Sequence, residues 1–340
     1  MEKVCRSRLA SASVAEAVDP EALARACAPI GAGRVEHLRR LSGGASRETW
    51  TFDLVEDTGA SYPLVLRRDP GANMGHSERA TEYAVLQAAA IGGVPVPRVR
   101  VLLTPDDDLG TGFVMDRVDG ETIARKILRD EEFAIARPRL AAQLGDAAAR
   151  IHSVDAATLP PLPEHDAAAQ IAQYRLTLDT FNEPHPAFEL GLQWLAARAP
   201  SGPERPTLVH GDFRNGNIIV GPDGLRAVLD WELAHLGDPI EDLGWLCVKS
   251  WRFGVVDKLV GGFGDLPDLL DAYHAAGGDE VDEAELRFWV VFGTLKWGVI
   301  CISQAFTHLT GAYRSVELAT LGRRVAEMEW DLLNLLDGGW

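Results

Sequence analysis

The rhythm of hydrophobic and polar positions changes part-way along the chain, near residue 117. Before that point, short β-type runs from Thr49 to Val55, Tyr62 to Arg67 and Gly112 to Met115 predict strands. One stretch between them, Ser77 to Ala90, has helical character, so this part predicts a small sheet carrying one helix. Beyond it, apolar residues recur at helical spacing: Leu140, Leu144 and Ile151, then Trp289, Gly293, Trp297 and Ile300. The second part is therefore expected to be mainly helical. A last series, Leu318, Leu321, Val325, Met328, Leu332 and Leu335, steps alternately by three and four, with Gly338 beyond it as a stop signal. A seam that short is expected to pack on its own domain, in a monomer or homodimer.

One β island interrupts the helical part. Asn217 to Val220 and Leu225 to Leu229 are apolar runs on either side of Gly221, Pro222, Asp223 and Gly224, a pattern that predicts a hairpin. Its two ends carry Asn217 and Asp230, polar residues that a purely structural hairpin does not require. Because the turn lays the strands side by side, the two ends are expected to meet in space.

Composition narrows the function mainly by exclusion. At 340 residues, with 46% hydrophobic and 24% charged residues, the chain has the makeup of a folded globular protein of one large or two modest domains. Acidic residues outnumber basic ones by 50 to 33, giving a net charge of −17, which repels a nucleic-acid partner. The cysteines, Cys5, Cys27, Cys247 and Cys301, show neither paired metal-ligand spacing nor a disulfide framework. The N-terminal stretch has no continuous apolar leader, and the most apolar run, Phe288 to Ile302, is interrupted by Gly293, Lys296 and Gly298. A cytoplasmic protein with no membrane span is expected.

The segment with the strongest chemical content is His210–Asn217, HGDFRNGN, just before the hairpin. Phosphoryl transfer asks a protein for an acidic group near the attacking hydroxyl and for oxygen ligands to magnesium on the phosphates. Asp212, Asn217 and Asp230 are residues of the right type. A hydrolase triad built on His210 and Asp212 lacks a Ser or Cys in an elbow motif.

HGDFRNGN followed by VLDWELAHLGDPIEDLGW resembles the aminoglycoside phosphotransferase family, and within it the branch related to the kinase-like domains fused to some acyl-CoA dehydrogenases. The resemblance runs roughly from Leu41 to Leu336. It implies an α+β, protein-kinase-like two-lobed fold, with a sheet-and-helix N-lobe over residues 1–117 and a larger, mainly helical C-lobe over 118–340. It also implies a kinase that moves the γ-phosphate of ATP onto a hydroxyl of a small-molecule acceptor. Asp212 would be the base and Asn217 and Asp230 the Mg2+ ligands, with His210 bracing the loop. ATP would sit between the lobes, and the branch tilts the acceptor towards a hydroxyacyl or other metabolic compound over an antibiotic.

The same resemblance assigns nucleotide contacts. The segment Leu41–Thr49, with Ser42, Gly43, Gly44 and Ser46, looks like the loop that covers the phosphates. Kinases place a Lys on the third strand, paired with a Glu on the next helix, but Leu64–Arg68 offers only arginine. Strand alternation favours Arg67, and the family pattern favours Glu82 over Glu78 as its partner. Gly112–Gly120 looks like the inter-lobe hinge, with Met115 and Val118 against the adenine. Asp238 and Asp242 resemble acids that brace the catalytic loop. Arginine in place of lysine also motivates a rival reading, a pseudokinase that binds nucleotide or a partner without turnover, and a magnesium-dependent phosphate hydrolase is a third.

Overall fold

The computed structural model describes residues 18–41, 48–69 and 76–340. The chain divides into two compact units: Met1–Tyr83 with Arg98–Arg117, and Ala84–Pro97 with Val118–Trp340.

The first unit is built on a five-stranded antiparallel sheet. Helix α1 (Pro20–Ala26) precedes β1 (Gly33–Leu41), β2 (Glu48–Glu56) and β3 (Ser61–Asp69), then come α2 (His76–Ile91), β4 (Val99–Leu102) and β5 (Thr111–Asp116). The spatial order is β1-β2-β3-β5-β4. Period-2 burial on β2 and β3 sends Phe52, Leu54, Leu64 and Leu66 into a core shared with Leu23, Ala26 and Val114. Each such side chain contributes about 1.5–3 kcal/mol when fully buried.

Two strands and a helix were not anticipated. Strand β1 is mostly exposed, carries a register shift and has His37 at φ 52°, so it lacks the alternation that marks a half-buried strand. The strand expected over Gly112–Met115 is β5, and it extends slightly further along the segment that resembles a hinge: β5 pairs through Asp116, and the Arg117 amide still donates to the Pro63 carbonyl at 3.0 Å.

The second unit begins with the last turns of α2. It continues through α3 (Ala124–Arg129), α4 (Arg137–His152), β6 (Glu164–His165), α5 (Ala167–Asp179), α6 (Pro186–Ala196), β7 (Thr207–Val209), the hairpin β8 (Ile218–Gly221) and β9 (Gly224–Val228), and β10 (His235–Gly237). It ends with α7 (Ile240–Cys247), α8 (Leu266–Ala275), α9 (Glu283–Leu309), α10 (Val316–Leu321) and α11 (Val325–Leu336). The expected single terminal helix is broken by a 3-10 turn at Gly322–Arg324. Met328, Leu332 and Leu335 are buried, whereas Leu318 and Leu321 are half-buried.

Helix α9 organises this unit. It is long and apolar enough by composition to cross a membrane, but 78% of its most apolar window is buried by protein, which makes it a core helix. Gly244 of α7 lies where a Cβ would come within 2.5 Å of the Trp289 Cβ on α9. The missing side chain lets the two helices approach closely.

Candidate functional site

The HGDFRNGN segment leaves β7 and reaches the hairpin through a loop held almost entirely by its own backbone and by buried acids. Gly211 takes φ 80°, in the left-handed region, and a Cβ there would lie 2.5 Å from the Leu233 carbonyl oxygen. The Asp242 carboxylate accepts the His210 amide at 2.7 Å and the Gly211 amide at 3.0 Å, and meets His152 Nε2 at 3.2 Å. Burial works against the Asp242 charge, but the His152 bond and these amides outweigh it and hold its pKa below the usual range.

His210 is fully buried, and burial pushes its pKa down, favouring the neutral ring. The Asp212 amide donates to its Nδ1 at 3.1 Å, so Nε2 carries the proton and donates to the Leu229 carbonyl at 2.9 Å. The residue is locked as a brace.

The Leu229 amide in turn donates to the Asn217 carbonyl at 2.8 Å, and Ile218 pairs with Val228. Asn217 and Asp230 therefore lie beside each other at the open end of the hairpin. Asp230 stands two residues past the end of β9, at φ 69°, a conformation that Asp tolerates better than most residues. Asn217 Nδ2 donates to the Asp212 carbonyl at 3.0 Å and to its Oδ2 at 2.5 Å. This commits the nitrogen end of the amide to Asp212 and leaves its oxygen as the end with acceptor character. Asp212 Oδ1 accepts from Arg214 Nε at 2.9 Å and from Trp245 Nε1 at 2.7 Å. Three donors thus orient this carboxylate.

Oxygen donors from Asn217 and Asp230 suit a hard cation such as magnesium, which takes few protein ligands and completes its shell with phosphate and water. No cluster of three or more His, Cys, Asp or Glu suited to a metal occurs among the described residues, so a site closed by protein ligands alone is not indicated there.

Beneath the loop lies an ionic group that the sequence pattern did not single out. Lys296, on α9, is buried, and its Nζ lies 3.2 Å from the Gly211 carbonyl, 3.3 Å from Glu241 Oε1 and 4.8 Å from the Trp245 ring centroid. Glu241 Oε2 also accepts Gln170 Nε2 at 2.6 Å and meets His235 Nε2 at 3.2 Å. Burial alone would raise the Glu241 pKa, but Lys296 and His235 bring it down to about 2. A signal was present: Lys296 is the single charge within Phe288–Ile302. Trp245 and Arg214 lay inside the recognised motifs, but their convergence on Asp212 depends on tertiary packing.

Asp238 does not brace the loop. Its Oδ1 accepts the Ile240 amide at 2.9 Å, capping the start of α7, and Asp242 alone of the two acids reaches the catalytic-type loop.

In the first unit, Arg67 Nη1 of β3 lies 2.7 Å from Glu82 Oε1 of α2, a close ion pair not aligned as a hydrogen bond. Arg79 joins them: it grips Asp69 through Nε at 2.8 Å and Nη2 at 3.1 Å, and Nη1 bonds Glu82 Oε2. Burial opposes its charge, but Asp69 and Glu82 hold its pKa above the ordinary value. Arg68, on the opposite strand face, is buried against Glu48 at 2.9 Å. Met115 and Val118 are half-buried. Ser42, Gly43, Gly44 and Ser46 lie outside the described residues, as does the Glu78 side chain.

Comparison with known proteins bears on this geometry directly. The sequence profile of the APH phosphotransferase enzyme family matches residues 37–289. The chain belongs to that family. Among solved structures, a putative aminoglycoside phosphotransferase from Ralstonia eutropha superposes with a TM-score of 0.72 at 23% identity, over 93% of this chain and 98% of that one. A thermostable variant of an aminoglycoside phosphotransferase, in a ternary complex with ADP and hygromycin B, superposes at 0.56 with 18% identity, over 87% and 94%. These likenesses show the kinase-like phosphotransferase fold, with a sheet-based N-terminal region and a helical C-terminal region. Acyl-CoA dehydrogenase family member 10 of Mus musculus is 34% identical over 227 residues, 63% of this chain. The chain spans about a fifth of that relative's length. The phosphotransferase family expected from the motifs is thereby shown, and a chain named as an acyl-CoA dehydrogenase is among its relatives, as the motifs also led one to expect.

Proposed function

We propose that this phosphotransferase is a small-molecule kinase that uses ATP and Mg2+ to phosphorylate a hydroxyl group. The observation that carries the proposal is the single net joining Asp212, Asn217 and Leu229, which brings a triply held carboxylate beside two oxygen donors. In this reading Asp212 accepts the hydrogen bond of the acceptor hydroxyl, orients its oxygen in line with the γ-phosphorus and takes its proton as transfer proceeds. The acceptor oxygen forms the new bond to phosphorus while the bond from phosphorus to the β–γ bridging oxygen breaks and ADP leaves. Asn217 and Asp230 would hold magnesium, which when bound neutralises charge on the phosphates. Arg67, positioned by Glu82, would hold the α- and β-phosphates as a fork where other kinases use lysine.

The kinship with chains named as acyl-CoA dehydrogenases leads us to favour a metabolic hydroxyl compound over an antibiotic as acceptor. A screen of hydroxyl compounds for stimulated ADP formation tests the proposal. Magnesium-dependent stimulation by at least one acceptor, absent in Asp212→Asn, is expected. Tight nucleotide binding with no ADP formed for any acceptor would favour the pseudokinase reading, to which Arg67 in place of lysine points. Phosphate release with no acceptor requirement would favour a hydrolase.

A further inference from the structure

We infer that the cavity framed by α3, α11 and the turn after α7 is the acceptor's recognition site, and that it selects an anionic hydroxyl compound with an apolar body. The inference rests on the kinase reading above. The cavity has a volume of about 990 Å3, and its walls include Arg125, Arg129, Lys249, Arg324, Val256 and Trp330. Four cations around one hollow stand out on a chain with a net charge of −17.

Two of these cations are already neutralised. Lys249 Nζ pairs with Asp331 Oδ1 at 2.5 Å, and Arg324 Nε pairs with Glu327 Oε2 at 3.2 Å. Arg125 and Arg129, one turn apart on α3, are exposed, and no acid among the described residues pairs with either. Two guanidinium groups on one helix face match a phosphate or carboxylate, whereas a polycation would be repelled. Between the charges, Trp330 is 66% exposed and Val256 56% exposed, an apolar surface that fits a hydrocarbon body.

A chain of packed rings and cations connects Arg324 at the cavity wall to the Arg214–Asp212 pair. The Arg324 guanidinium lies 5.9 Å from the Trp297 ring, Trp297 is 4.9 Å from Trp251, and Arg214 lies 4.4 Å over Trp251 while holding Asp212. Ser250 and Met328 line the cavity and are in contact, with Oγ and Sδ 3.2 Å apart. Trp251 is buried and Trp297 half-buried, so these rings form a packed floor, and a compound whose anionic end sits at α3 would lie over them with its hydroxyl towards Asp212.

Binding and turnover test separate parts of the inference. Octyl phosphate, octanol and octyltrimethylammonium are titrated against the full chain at low and high salt, using tryptophan fluorescence with Trp330→Phe as the control for signal origin. The double variant R125E/R129E, on an exposed face, is compared after its fold is checked by circular dichroism. Octyl phosphate should bind most tightly, weaken with salt and lose at least about tenfold in affinity in the double variant. Hydroxyoctyl phosphate should serve as acceptor, with KM raised in the variant and kcat retained. Equal binding of octyl phosphate to both proteins, or equal binding of the trimethylammonium compound, would overturn the inference even where ADP formation persists with some other acceptor. Charge-dependent binding with no transfer to any acceptor would sink the kinase reading, and the acceptor role of the cavity with it.

Discussion

Two buried acid-centred groups of this protein, one in each unit, are held in different ways. In the second unit the carboxylate of Asp242 is gripped by backbone amides of the very loop it supports, and His210 and Leu229 add further bonds that involve the main chain. In the first unit, the contacts among Arg67, Arg79, Glu82 and Asp69 run between long side chains. Backbone contacts fix a loop's path, whereas side-chain ion pairs fix only the ends of flexible arms. The contrast is between a rigid loop on one hand and, on the other, a group free to adjust, as the proposed role of Arg67 on phosphate would need.

Asp242→Ala should break the contrast most severely. It strands two buried amides and His152, and we expect a loss of about 3–5 kcal/mol in denaturant unfolding. A loss below about 1 kcal/mol would mean that the loop holds itself. Lys296→Met should come next, at about 3 kcal/mol, because it leaves Glu241 buried beside fewer donors. The double change Lys296→Met with Glu241→Gln should recover part of that loss, and additivity of the two would deny their coupling.

Arg67→Ala should have a smaller effect on unfolding, about 1 kcal/mol, since Arg79 still pairs with Glu82. Its main effect should instead be a raised KM for ATP, and unchanged nucleotide kinetics would remove Arg67 from the site.

The mildest test is pH. Glu241 and Asp242 both titrate below their ordinary values of 4.5 and 3.8, Glu241 at about 2. A depressed carboxyl stabilises the fold above its unfolded pKa and loses that contribution as pH falls through its folded one. His210, held neutral by burial, acts in the same direction below its ordinary 6.5, because the unfolded chain takes the proton first. His235 acts oppositely: burial opposes its charge, but Glu241 raises its pKa, so its contribution fades as pH rises. Unfolding midpoints should therefore drop as pH falls from about 5 towards 2, and less steeply in Glu241→Gln.

The residues that were legible in advance share one property: local chain order sets their geometry. A turn sequence between two apolar runs brings Asn217 to Asp230 whatever else the fold does, and the loop spacing carries Asp212 to Asn217. Outside that local class, Arg67 was legible from strand alternation and Glu82 only from the family pattern, although Arg79, three residues before Glu82, was not. Asp238 and Asp242 look alike in sequence, yet the first caps its own helix and the second spans to the loop. Asp238 precedes the first residue of α7 and turns back onto the Ile240 amide, whereas Asp242 lies within the helix and reaches the loop from there.

By itself, then, the amino-acid order determined the inner strands of the sheet, α2, the hairpin, the phosphotransferase motif and the trio at the hairpin, because periodicity and turn chemistry act over a few residues. Only the tertiary structure decided that Lys296, Glu241 and Trp245 would lie beneath Asp212, and that arginines of α3 would share a cavity with α11. Those meetings join segments far apart in the chain, and which partners meet depends on how helices pack at positions such as Gly244, where the absence of one side chain sets the distance.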